Sequence, residues 1–87
     1  MSEVEFNYNG NVIIIQCRKD EKMEDIFNKY LLKMTNLDIN TIHFIYSGNT
    51  NIDDKLSFEE LANKNDKIRN KMNIIVKDIN NIKENLI

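Results

Sequence analysis

Apolar residues alternate with polar ones from Val4 to Tyr8 and return around Val12 to Cys17, with Asn9-Gly10 between the two runs. Asn-Gly is the favoured core of a two-residue type I′ turn, whose central positions both need positive φ. Counting outward from that turn pairs Tyr8 with Asn11, Phe6 with Ile13 and Val4 with Ile15. The pairing puts Val4, Phe6, Ile13, Ile15 and Cys17 on one face. Glu3, Glu5, Asn7, Val12, Ile14 and Gln16 take the other, which is polar except for Val12 and Ile14. A slip of one residue would expose the apolar set, so the register is well specified.

The period then changes. Met23, Ile26, Phe27, Tyr30, Leu31 and Met34 form a helical stripe, and the spacing predicts a helix over 22–35. Asp20 is the expected N-cap, with Glu21, Glu24 and Asp25 near the positive end of the helix dipole. Asn36 is expected to stop the helix in a left-handed conformation, with Leu37 folding back as its hydrophobic contact. A strand follows over 42–46, a turn at Ser47-Gly48-Asn49 and a very short strand around Ile52. Ser57 with Glu60 three residues on predicts a capped helical turn over 57–62. A polar loop over 63–71 and a closing strand over 72–77 complete a ββαββ order, an α+β solution with one main helix on one face of a mixed sheet.

Eighty-seven residues bound this to one domain, read here as residues 1–78, with 79–87 as a C-terminal tail or the start of a linker or helix. The ending suggests a piece of a longer protein. Twelve basic residues against fourteen acidic ones give a net charge of −2, without the basic surplus that a dedicated nucleic-acid or membrane binder needs. One cysteine, Cys17, permits no intramolecular disulfide and no thiolate metal cluster. The start has no signal-peptide pattern, and no apolar run nears the roughly 20 residues of a membrane span. These features lead to the expectation of a soluble monomer, cytoplasmic or nuclear, with neither cofactor nor metal.

In order and spacing the chain resembles the ubiquitin superfamily over roughly Val4 to Lys77. The resemblance rests on Gly10 ending the first hairpin and Met23 opening the helix. It continues through His43-Phe44-Ile45-Tyr46-Ser47-Gly48, Leu56-Ser57-Phe58-Glu59-Glu60-Leu61 and Met72-Asn73-Ile74-Ile75-Val76-Lys77. It implies a ubiquitin-like β-grasp fold with the last strand parallel to the first and the third strand on the last strand's other side. It also implies that partners dock on the sheet face away from the helix. Alternation sends Ile45 and Ile75 to that face, with His43, Asn73 and Lys77 around them. The two isoleucines match the central aliphatic positions of ubiquitin's patch, and Asn73 stands where ubiquitin has a histidine. Tyr8 lies close to the patch's hairpin leucine, but the tighter turn leaves its direction open. Val12 and Ile14, on an edge strand with Arg18, Lys19, Lys22 and Lys29 nearby, form a possible second site. They are similar to the strand with which small ubiquitin-like modifiers bind hydrophobic motifs.

Catalysis finds little support. Cys17 faces inward and His43 outward by the same alternation, whereas a Cys–His dyad needs both on one face. Asp53-Asp54 and Glu59-Glu60 lack the ligand spacing and glycine of a calcium loop. No glycine follows Gly48, so the Gly-Gly ending of a conjugated modifier is missing. The sequence therefore reads as a non-covalent protein-interaction module of ubiquitin-like type, part of a larger protein and linked to ubiquitin-binding or degradation machinery. The alternative is a scaffold or assembly domain of PB1 or Ras-association type; the first strand's lack of lysine counts against the PB1 mode. An enzyme is a distant third.

Overall fold

The computed structural model describes residues 1–79; the expected tail therefore lies, apart from Ile79, outside the described residues. Two strands open the chain, β1 (Ser2–Tyr8) and β2 (Asn11–Cys17). They pair antiparallel in the register counted from the turn: Tyr8 with Asn11, Phe6 with Ile13, Val4 with Ile15. Asn9 and Gly10 have φ of 52° and 84°, the left-handed pair that a type I′ turn requires. The helix α1 (Met23–Lys33), strand β3 (Ile42–Tyr46), short helices α2 (Phe58–Leu61) and α3 (Lys64–Arg69), and strand β4 (Lys71–Asp78) follow. The sheet order is β2-β1-β4-β3, with β4 parallel to β1 and antiparallel to β3.

One sheet face and α1 enclose the core. Val4, Phe6, Ile15, Cys17, Met72, Ile74 and Val76 point from the strands toward Met23, Ile26, Phe27 and Tyr30, and all are buried. At its centre Phe6 stacks on Tyr30 with ring centroids 4.2 Å apart, and Phe27 stacks on Phe44 at 4.1 Å. An edge contact between Phe6 and Phe44 at 5.8 Å joins the two pairs. Such pairs add about 0.5–1.5 kcal/mol each beyond their burial, so the helix is fixed in position as well as covered.

Four local expectations are corrected. Asp20 does not cap α1: its carboxylate is bound by Arg18 Nε at 3.0 Å, and Lys22 occupies the cap position without a side-chain bond. The helix start is satisfied from elsewhere in the chain, Met23 N–H donating to Leu56 O (2.8 Å) and Glu24 N–H to Asp54 O (2.9 Å). Asn36 does not terminate the helix in a left-handed conformation; α1 ends at Lys33, and Met34 closes it with φ −105°. Leu37 does fold back onto the core, its N–H donating to Met34 O at 3.0 Å.

Residues 51–53 form no strand. Asn49 instead closes the β3 turn by exchanging two backbone hydrogen bonds with Tyr46, at 2.9 and 3.0 Å. Ser47 and Gly48 supply the positive φ (52° and 78°) that this tight reversal demands. Residues 63–71 are not a loop, because α3 occupies most of them. Asn63 caps α3 by accepting from Asp66 N–H at 2.9 Å, and Asn70 ends it with φ 54° and ψ 37°. The expected helical turn at Ser57 is present as α2, with the reciprocal Ser57–Glu60 capping box formed at 3.2 and 3.0 Å.

Candidate interaction surface

The sheet face opposite α1 carries the candidate site. Ile45 and Ile75 are direct cross-strand partners on β3 and β4, and β1 contributes Asn7 beside Ile75. Ile75 is 48% exposed, while Ile45 is half-buried. His43 lies opposite Lys77 one step along the same face, and Asn73 lies two residues before Ile75 on β4. Val12 pairs with Asn7 on β1's other side, so a single row crosses the sheet as Val12, Asn7, Ile75 and Ile45. Farther along this face Lys71 Nζ reaches Glu5 Oε1 at 3.4 Å and Glu3 Oε1 at 4.0 Å. The apolar pair is thus bordered by Lys77 and His43 at one end and by the net-negative cluster of Lys71, Glu3 and Glu5 at the other.

Beside Ile45 and Ile75 a shallow groove of about 280 Å³ runs toward α3 and is floored by Tyr46 and Asp66. The Tyr46 hydroxyl donates to Asp66 Oδ2 at 2.6 Å and accepts from Asn63 N–H at 2.8 Å. Burial, helped by the Asp66 carboxylate, pushes the Tyr46 phenol up to about 12. Arg69 holds the other Asp66 oxygen at 2.8 Å, so the buried carboxylate is charge-paired and hydrogen-bonded. This network welds α3 to the end of β3 and sets the shape of the patch's rim. The sequence reading missed it because α3 contains one apolar residue, Ile68, which the structure leaves 72% exposed. Asn63 followed three residues later by Asp66 was the available signal.

Tyr8 is not brought to the patch. It shares the helix-side face of β1 with Val4 and Phe6, packs against the core, and donates to Asp78 Oδ1 at 2.8 Å. Val12 and Ile14 are on the open face, 48% and 45% exposed, and β2 is one of the sheet's two edge strands. Arg18 is engaged by Asp20, and Lys19 is exposed just beyond the end of β2.

Cys17 and His43 are on opposite sides of the sheet and form no dyad. Cys17 is 3% exposed, and burial, reinforced by nearby Glu21, pushes its thiol up to about 11, so it is a packing residue and a poor nucleophile at neutral pH. Asp53 is used locally, accepting from Lys55 N–H at 3.0 Å.

No protein-family model and no curated protein sequence matches this chain. Solved structures do. The ubiquitin-like domain of Arabidopsis thaliana protein At2g32350 superposes with a TM-score of 0.66 at 17% identity, over 88% of this chain and 76% of that one. The ubiquitin of Caldiarchaeum subterraneum gives 0.66 at 13% identity, over 86% and 89%. The ubiquitin-like domain of yeast Ddi1 gives 0.65 at 15% identity, over 90% and 88%. With its mixed four-stranded sheet, central parallel β1–β4 pair and helix α1 superposing on these structures, the chain has the ubiquitin-like β-grasp fold.

Proposed function

We propose that this domain is a non-covalent docking module that presents the Ile45–Ile75 pair, flanked by His43, Asn73 and Lys77, to partners from ubiquitin-binding or degradation machinery. The observation that carries this reading is the exposure of Ile75 at the centre of the open sheet face, paired directly with Ile45. Single exposed aliphatic residues are ordinary on a protein surface. Two on adjacent strands, on a face that no other described element covers, form a surface a partner can desolvate. The similarity of fold to ubiquitin-like domains supports a partner that is itself a protein. Lys77 and His43 at one border favour a partner with an acidic residue beside its apolar anchor.

Ile75→Ala tests the reading. The side chain is half out of the protein, so its loss leaves stability within about 0.5 kcal/mol of wild type, as for other surface changes. Binding to a helical ubiquitin-binding domain is expected to fall below detection while the thermal midpoint holds. Undiminished binding removes the patch from the function. A collapse of the midpoint assigns Ile75 to the core.

A further inference from the structure

The helix α3 carries one apolar residue, Ile68, and leaves it 72% exposed. A single exposed aliphatic side chain is ordinary, but this one stands next to the docking face. Ile68 lines a shallow depression of about 450 Å³ with Asn63, Asn65, Asp66 and Arg69. The groove beside Ile45 and Ile75 is lined by Asn63 and Asp66 as well. The two hollows therefore meet at the α3 cap, and together they lead from the Ile45–Ile75 pair to Ile68.

The middle of this trough holds no net charge. Asp66 is buried there, and Arg69 pairs with it at 2.8 Å. The other polar side chains along it, Ser47, Asn63, Asn65 and Asn73, are uncharged. An ion entering the trough would lose its water without meeting a counter-charge. The helix as a whole is different, because Lys64, Lys67 and Arg69 stand against Asp66 alone. Among the described residues neither Lys64 nor Lys67 has an acidic partner, so α3 keeps a positive surplus.

We infer that α3 extends the Ile45–Ile75 patch into a two-part docking surface and selects the partner. The trough takes a segment of a partner protein with an aliphatic residue at each end, uncharged polar residues between them and an acidic residue beside Lys64. This rests on the docking function proposed above and adds the chemistry of the partner. The aliphatic ends cover Ile75 and Ile68, and amide or hydroxyl groups between them meet the uncharged side chains. The acid meets the surplus of α3 with the opposite sign. A second copy of this chain lacks that complementarity. Two copies joined through their troughs would bring two α3 helices together, cation against cation, and like charges oppose the pairing.

The test is selection of helical peptides from a displayed random library against the wild-type domain, followed by titration of each peptide on three variants. Peptides that dock on the patch are those that lose binding on Ile75→Ala. For these, Ile68→Asp, at an exposed position, should weaken binding by roughly tenfold, the factor that corresponds to about 1.4 kcal/mol. Lys64→Glu adds an acid to the first turn of α3, which the helix dipole favours, so the fold is kept. It should weaken the selected peptides, whose sequences are expected to carry an acid at one end, and strengthen copies with lysine in place of that acid. Indifference of the patch-binding peptides to either variant would overturn the inference and leave the patch standing. If no selected peptide depends on Ile75, the docking function itself falls, and this inference with it.

Discussion

Tyr46 shows how a side chain at the foot of the patch is held without being part of the contact surface. Its ring is buried under the end of β3, and its hydroxyl satisfies Asp66 and Asn63 together. Cys17 is the complementary case, a polarisable group used only for packing. Its thiol moves from an ordinary 9.0 up to about 11, chiefly through burial. A raised folded-state value means that the folded protein keeps its proton while the unfolded chain gives it up. The Cys17 contribution to stability is thus complete below pH 9 and is lost as pH rises toward 11. Urea unfolding measured across that window should show a steeper loss for wild type than for Cys17→Ala; identical slopes would mean that the thiol is not buried. The inward direction of Cys17 and the outward direction of Ile75 were legible from alternation alone. So was that of Tyr8, which shares its parity with Val4 and Phe6. The resemblance to ubiquitin drew Tyr8 toward the patch, and the pleat of β1 carries it to the other side.

The elements divide by how much of their stabilisation is local. The first hairpin was readable because Asn9-Gly10 fixes the turn and the turn fixes the register. The helix α1 was readable from its stripe but not from its ends. Its first N–H groups are satisfied by carbonyls of Leu56 and Asp54, some thirty residues away, a tertiary solution that propensity cannot foresee. The helix α3 is the reverse case. Six residues are too few to be helical alone, and it persists through the Asn63 cap, the left-handed Asn70 and the Asp66 bond to Tyr46. Asn63→Ala should cost about 0.5–2 kcal/mol, the usual penalty for a lost cap. Amide exchange checks where that cost falls: protection should drop over Lys64–Arg69 and remain in β1. A uniform loss of protection would show that α3 is not separately capped.

At the scale of the molecule, a single apolar face buried by one helix leaves the opposite sheet face to solvent, and function is read from what remains there. The sheet order and the parallel β1–β4 pair followed from the resemblance to ubiquitin, while the α+β class followed from periodicity and order. The α3 rim was not legible, because it joins Tyr46 to Asn63 and Asp66 across the sequence. The most direct test of the docking account is amide shift mapping during titration with a helical ubiquitin-binding domain. The account predicts the largest shifts at His43, Ile45, Asn73, Ile75 and Lys77, with α1 silent. Shifts confined to α1 and β2, or none at all, would contradict it.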